Sequence, residues 1–246
     1  MPGRAQHTSG ARPGRLRADA HRNRELLLAA ACDAVIEHGA DVPLDDIARR
    51  AGVGIATLYR RFRDRPALLR QLALDLMGRS AQEASAALTE EPDPFAALAR
   101  YMHRALDLRI AAAMPVLVGR FEMDEELLEA RRASVGPLEQ IVERARAAGS
   151  LRPDVSAGDV GMLLVRLARP LPGGFPADVH DELAHRHLGV LLDGLRRGSS
   201  PAAALPGPAM TLDDLAAVPP PAPGDDPATT PVHHPALPPS RKGSRQ

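Results

Sequence analysis

The clearest hydrophobic pattern in the chain spans residues 44–62 and predicts two short helices. In the first half, apolar residues recur at i, i+3, i+4 and i+7, the spacing of one helix face: Leu44, Ile47, Ala48 and Ala51. Gly52 follows and can adopt the left-handed conformation that a tight turn requires. In the second half, the pattern turns Val53, Leu58 and Phe62 inward and leaves Thr57, Arg60 and Arg61 outward. Two such helices form a helix-turn-helix, whose second helix can enter the major groove of DNA.

Helical spacing also predicts the elements on either side of this motif. A helix over about residues 22–38 has Leu27, Ala31, Ala34, Val35 and His38 on its inner face and ends at Gly39. Asp64 is a candidate N-cap, with Pro66 in the first turn, for a helix that continues to about residue 88. Further helices are predicted at about 94–113, 115–131, 134–148, 156–169 and 177–197. No segment has a sustained period of two, so the predicted fold class is all-α.

Both ends of the chain differ in composition from the middle. Residues 1–20 are rich in Gly, Pro, Arg and Ser, and residues 198–246 hold twelve of the 24 prolines. Segments with so little large apolar surface cannot offset the entropy of ordering, so both ends are predicted to be disordered. The arginines of residues 1–20 fit two interpretations, a DNA-tracking arm and an ordinary solvated tail.

The charge is distributed unevenly, although the chain as a whole has a formal net charge of zero. Residues 1–70 hold thirteen Arg and eight acidic residues, whereas residues 71–200 hold fifteen Arg and nineteen acidic residues. A basic N-terminal region followed by an acidic region is typical of a protein that binds phosphate through one part of its chain. The charge therefore favours DNA binding over the alternative that residues 44–62 are an ordinary helix pair.

The segment from Ile47 to Phe62, IARRAGVGIATLYRRF, followed by RDRPALL, resembles the DNA-binding domain of the TetR family of transcriptional regulators. The resemblance is specific over about residues 22–70. Gly54 and Ile55 depart from the family pattern, in which Ser and Lys are frequent at these positions. The resemblance implies a helix-turn-helix domain at 21–66, a helical regulatory and dimerisation domain at 67–197, and a function as a homodimeric repressor released from double-stranded operator DNA by a small molecule.

The candidate DNA-binding residues lie on and around the predicted second helix of the motif. Thr57 and Tyr59 are candidates for phosphate or base contacts, and Arg60 and Arg61 can reach a guanine edge or a phosphate. Ile55 and Ala56 lack donors and suit a thymine methyl group. Asp45 can accept from a cytosine amine or charge the start of its helix. The complete predicted set is Leu44, Asp45, Ile55, Ala56, Thr57, Tyr59, Arg60, Arg61, Arg63 and Arg65, the last two as phosphate clamps.

The remaining candidate sites belong to the C-terminal domain. The resemblance places the dimer contact on the last two helices, where the candidates are Met162, Leu163, Val165, Leu188, Leu191, Leu192 and Leu195. The alternative is that these side chains all face the core of one chain. A pocket for the unknown small molecule has as candidates Tyr101, Met102, Arg109, Met114, Leu117, Arg120 and Phe121. With no Trp, two Tyr and four Phe, the chain is poorly suited to a pocket for flat, multi-ring compounds.

Other functional classes have little support in the sequence. There is no Gly-rich phosphate loop, no metal-binding spacing and no nucleophile–base arrangement, so we expect neither an enzyme nor a cofactor. No apolar run approaches the length of a membrane span, and the single Cys32 suits a reducing, cytoplasmic environment. Two alternatives to an operator-specific regulator remain: a DNA-binding protein without sequence preference, and a helical ligand- or partner-binding protein without operator specificity.

Overall fold

Across residues 13–170, 176–198, 205–207, 209, 211 and 212, which the computed structural model describes, nine α-helices follow one another and no strand forms. The helices are α1 (Pro13–His38), α2 (Leu44–Arg50), α3 (Ile55–Arg61), α4 (Arg65–Glu90), α5 (Pro94–Asp107), α6 (Ile110–Leu117), α7 (Glu125–Ala147), α8 (Ala157–Ala168) and α9 (Ala177–Leu195). The all-α prediction is confirmed. We call α1–α3 the head and α5–α9 the body; α4 connects them.

The N-terminal helix is longer than predicted. Helix α1 begins at Pro13, within the arm predicted to be disordered, and residues 1–12 of that arm lie outside the described residues. The segment after Pro13 is rich in Arg, Leu and Ala, which favour helix, and Pro is tolerated in a first turn. His38 does not lie on the inner face as predicted; it is exposed, and its Nε2 lies 2.8 Å from the guanidinium of Arg50.

The helices of the body divide at different residues from those predicted. The predicted helix 94–113 is interrupted at Arg109, which adopts a left-handed conformation (φ 56°) at the start of α6. Pro115 lies inside α6 instead of beginning a new helix. The next break is the loop before Asp124, whose carboxylate accepts a hydrogen bond from the Leu127 amide at 3.0 Å and caps α7. Helix α7 then continues through Pro137, so the predicted break near residue 133 is wrong.

Two hydrophobic cores lie among the described helices, and α4 contributes to both. The first joins the head to the N-terminal half of α4 and also includes buried side chains of α6 and α7, such as Leu117 and Leu127. The second lies among α4, α5, α7, α8 and α9 around Phe95, Leu98 and Met102. Helix α6 packs against α1 and α4, so it lies beside the head.

The C-terminal tail is not entirely separate from the body. Asp154 accepts a hydrogen bond from the Leu205 amide at 3.0 Å, and Arg131 donates one to the Leu212 carbonyl at 3.1 Å. The Leu212 side chain lies against α8 at Gly161, where an added Cβ would approach it to 3.1 Å. These contacts involve single residues of the tail that was predicted to be disordered, and most of that tail lies outside the described residues.

Candidate DNA-binding surface

The turn between α2 and α3 has the geometry that the sequence pattern requires. Gly52 adopts a left-handed conformation (φ 67°), and the next residue, Val53, donates its amide to the Ala48 carbonyl at 3.0 Å. Gly54 then caps α3 with extended backbone and no side-chain contribution. Ser is frequent at the position of Gly54 in the family. Because Gly is only a slightly weaker N-cap than Ser, α3 still forms with Gly54 at its start.

The inner face of α3 packs against the rest of the head. Leu58 is fully buried and Phe62, immediately after the helix, is 5% exposed. Both belong to the first hydrophobic core, and Ile55 packs against its edge while remaining partly exposed. This anchoring holds the opposite face of α3 outward.

The outward face of α3 carries the predicted polar residues. Tyr59 is 54% exposed, and Ala56, Arg60 and Arg61 are exposed as well. The Arg60 guanidinium donates to the half-buried Thr57 hydroxyl at 3.3 Å. Neither Arg60 nor Arg61 has an acidic partner among the described residues, so two positive charges project from one short helix.

The cations of α2 are arranged differently, because each has an acidic partner. Arg49 pairs with Asp46 at 2.6 Å, and Arg50 pairs with Glu37 of α1 at 2.7 Å. Asp45 is exposed in the first turn of α2, where a carboxylate opposes the partial positive charge of the helix terminus. Leu44 is half-buried against the first core. The unpaired positive charge is thus concentrated on α3.

Arg63 and Arg65 were predicted to act alike, but the structure separates them. Arg63 is exposed, and its side chain lies 2.9 Å from the Asp64 carboxylate, which also caps α4 through the Ala67 amide. Arg65 is partly buried and donates to the backbone carbonyls of Ala40 and Val42. Its guanidinium therefore supports the α1–α2 loop, which corrects the prediction that it is a phosphate clamp.

The predicted small-molecule residues lie in different surroundings. Tyr101, Met102 and Leu117 are buried core residues, and the Tyr101 hydroxyl lies 3.0 Å from the Ser80 hydroxyl. Met114 and Phe121 pack against the first core, and Arg120 pairs with Asp41 at 3.2 Å. Arg109 lines a cavity of about 420 Å³ between α1, the α5–α6 junction and α9. Its other polar residues were not among the predicted site residues, because they come from distant parts of the sequence.

The candidate dimer residues divide into two groups. Leu188, Leu192 and Leu195 are buried in the core of the chain itself, so they cannot face a partner and the prediction is wrong for them. Their spacing of four and three residues follows the inner face of α9. The remaining candidates are partly exposed on α8 and α9 and stay predictions: Met162, Leu163, Val165 and Leu191. Val190, also on α9, is 68% exposed and was not predicted.

Two other properties bear on the class of protein. Within the described part of the chain, no helix combines the length and apolar character needed to cross a membrane. The same residues contain no cluster of three or more His, Cys, Asp or Glu side chains arranged to hold a metal ion.

Comparisons with known proteins agree with this geometry. A family model described as bacterial regulatory proteins, TetR family, matches residues 27–72, and one described as the SbtR-like transcriptional regulator C-terminal domain matches residues 93–197. The TetR transcription regulatory protein from Mycobacterium vanbaalenii is 33% identical, with a TM-score of 0.51, over 74% of this chain and 99% of that protein. The TetR transcriptional regulator SCO0520 from Streptomyces coelicolor is 30% identical, with a TM-score of 0.50, over 72% and 99% of the two chains.

No curated protein matches the sequence. The two family models together cover the helix-turn-helix and the body, and the two solved structures are matched over nearly their whole length. The chain is a member of the TetR family and therefore a DNA-binding transcription regulator.

Proposed function

We propose that this regulator is a homodimeric repressor that binds a specific operator and leaves it when a small molecule binds the body. The observation that carries the proposal is the division of α3 into two faces. Leu58 and Phe62 hold it to the head, while Tyr59, Arg60 and Arg61 project from it. A helix fixed in this way can enter the major groove without rearranging the head.

The outward residues of α3 suit distinct roles in recognition. Arg60 and Arg61 carry the donors that pair with guanine in the major groove, a contact worth about 1–3 kcal/mol of discrimination. Tyr59 and Thr57 supply hydroxyl groups for phosphates, while Ile55 and Ala56 offer apolar contact to a thymine methyl. Arg63, exposed just beyond the helix, suits a phosphate of the flanking backbone.

The dimer places two copies of α3 on one face of the DNA. Partly exposed apolar side chains lie on the outer sides of α8 and α9, among them Met162 and Leu191, with Val190 exposed beside them. Burying them against the same surface of a second copy would give a twofold-symmetric pair. Such a dimer reads two half-sites about one helical turn of DNA apart, roughly 34 Å.

Release from the operator requires that a ligand favour a different spacing of the two heads. A ligand shifts this equilibrium only if it binds the released conformation more tightly than the DNA-bound one. Helix α4 and the packing of α6 against the head supply a route by which a change in the body reaches α3.

The proposal is tested by measuring the affinity of the full chain for DNA from upstream of its own gene. The control is a random duplex of equal length and base composition, at the same salt concentration. We expect binding to the upstream DNA to be tighter by about 10³-fold or more, the usual margin of a specific regulator. Equal affinities would overturn the proposal and favour a DNA-binding protein without sequence preference. No binding to either duplex would favour a protein without DNA function.

A further inference from the structure

The cavity of about 420 Å³ lies where the head meets the body. Its walls come from the end of α1, the α5–α6 junction, the end of α8 and the first half of α9. Six polar side chains line it: Glu37, Asp107, Arg109, His180, Asp181 and His185. The remaining wall is apolar and includes Ile36, Leu106 and Ala184. A volume of this size with mixed lining is in the range of small-molecule sites.

Acidic groups outnumber basic groups around this cavity. Three carboxylates line it, Glu37, Asp107 and Asp181, against the single guanidinium of Arg109. Arg109 is shared between Asp181, at 3.2 Å, and Asp33 of α1, at 3.3 Å. The side chains that line the site therefore have a negative charge balance, which favours a cationic ligand over an anionic one.

Charged residues that contact the lining side chains do not cancel the negative charge of the cavity. Arg50 pairs with Glu37 at 2.7 Å. Arg104 pairs with Asp107 at 3.1 Å but also with Glu83, so it neutralises Asp107 only in part. Asp107 additionally lies 3.0 Å from Nε2 of His185.

One polar atom of the cavity lacks a partner. Nδ1 of His180 is buried and makes no hydrogen bond within the described residues. Buried polar atoms are nearly always paired, and this unpaired one is enclosed within a residue of the cavity wall.

We propose that this cavity binds an organic cation that has an ammonium or guanidinium group and an aliphatic chain. The cationic group of the ligand lies against Asp181 and Asp107, and its aliphatic chain lies along Ile36, Leu106 and Ala184. The inference rests on the proposed function, because it identifies the chemistry and the place of the small molecule that releases the regulator.

The position of Arg109 connects this site to the head. Its guanidinium joins Asp33 of α1 to Asp181 of α9, and its backbone is held in the left-handed conformation at the α5–α6 junction. A cation at Asp181 competes with Arg109 for the same carboxylate and weakens this link between α1 and α9. Glu37 lines the same cavity and pairs with Arg50 of α2, so a second contact with the helix-turn-helix lies at the site.

Binding is tested by calorimetry on the full chain without DNA, using n-octylammonium, n-octanol and octanoate as probes. The three probes share an eight-carbon chain and differ in the charge of the head group. We expect n-octylammonium to bind at least tenfold more tightly than octanoate, with n-octanol between them. Octanoate binding as tightly as n-octylammonium would overturn the proposal.

Two variants locate the site, and one matched variant serves as control. Asp181→Asn removes a carboxylate that lines the cavity, and Ala112→Leu fills cavity space without changing charge. Each is expected to weaken n-octylammonium binding at least fivefold. Asp193→Asn changes an exposed carboxylate of α9 that does not line the cavity, and it should leave binding unchanged. If neither cavity variant changes n-octylammonium binding, the proposed location of the site is wrong. Circular dichroism checks that each variant is folded.

The link to the head is tested by adding n-octylammonium to the complex with upstream DNA, with ammonium chloride as the ionic-strength control. We expect the dissociation constant for DNA to rise at least tenfold in the wild type and less than twofold in Ala112→Leu. An unchanged dissociation constant in the wild type would overturn the link. If the wild type binds no DNA, the proposed function fails, and calorimetry alone decides whether the cavity binds a cation.

Discussion

The guanidinium of Arg65 donates a hydrogen bond of 2.9 Å to the backbone carbonyl of Ala40, 25 residues earlier in the chain. The same nitrogen reaches the Val42 carbonyl. The first turn of α4 is thereby joined to the loop that precedes the helix-turn-helix. Arg63, two residues earlier, makes no such contact and stays exposed. These two neighbouring cations therefore have different functions in the head.

Arg65→Met is expected to destabilise the head. The substitution keeps much of the apolar stem and leaves two backbone carbonyls without their donor, at a cost of about 1.5–3 kcal/mol for bonds to a charged group. Urea unfolding followed by circular dichroism measures the change.

Arg63→Met is the matched control for Arg65→Met. It is expected to leave the free energy of unfolding nearly unchanged and to weaken DNA binding through the loss of one phosphate contact. The slope of log K against log salt should then become less negative by about 0.9. Equal destabilisation by the two substitutions would contradict the different functions assigned to them.

The hydroxyl groups of Ser80 and Tyr101 form a buried pair between α4 and α5, 3.0 Å apart. Ser80→Ala leaves the Tyr101 hydroxyl without a partner and should cost about 1–3 kcal/mol. The double variant Ser80→Ala with Tyr101→Phe should cost less than the sum of the single variants, because neither hydroxyl is then left unpaired. Denaturant unfolding of the four proteins tests this, and strictly additive losses would exclude the coupling.

Cys32 is buried in α1, and burial, followed by the nearby Asp33 carboxylate, raises the pKa of its thiol to about 11. The unfolded thiol ionises near pH 9. Between pH 9 and pH 11 the unfolded chain releases the thiol proton, whereas the folded chain retains it. The contribution of Cys32 to the free energy of unfolding is therefore fully present below pH 9 and is lost as the pH rises from 9 to 11. At pH 8, alkylation by iodoacetamide should be at least about 100-fold slower in the folded chain than in urea, because only the thiolate reacts. Equal rates in both states would show that the thiol is accessible and ionised.

The apolar outer side of α9 supplies a test of the proposed dimer. Val190→Arg places a charge on the most exposed large apolar side chain of the described residues and should convert the dimer to a monomer with weakened operator binding. Val118→Arg makes the same change at another exposed valine, just after α6, and should leave the dimer intact. Sedimentation velocity measures the oligomeric state. A dimer that persists in Val190→Arg would place the interface elsewhere.

Local patterns in the sequence are sufficient to predict the helix-turn-helix, because its features depend on residues a few positions apart. The spacing around Leu58 and the glycine at position 52 determine α3 and its turn without reference to the rest of the chain. The same reasoning identifies Asp64 as the cap of α4, since the donor is the amide of Ala67, three residues later.

Features that depend on distant residues could not be predicted in this way. The partners of Arg65 lie more than 20 residues earlier, and the cavity joins Glu37, Arg109 and Asp181, which only the packing of α1, α6 and α9 brings together. Leu188 and Leu192 have the same helical spacing whether they face their own core or a partner. The interruption at Arg109 was missed because a non-glycine residue in the left-handed conformation leaves no compositional signal.

The central claim, that the outward face of α3 recognises DNA, is tested most directly by replacing its polar groups together. The measurement is the dissociation constant for upstream DNA of the variant Thr57→Ala, Tyr59→Ala, Arg60→Ala. The control variant is Thr89→Ala, Arg132→Ala, with both substitutions at exposed positions of helices outside the head. With contacts worth about 1–3 kcal/mol each, we predict at least a 100-fold loss of affinity in the α3 variant, an unchanged melting temperature, and wild-type affinity in the control. A dissociation constant within twofold of wild type in the folded α3 variant would contradict the account.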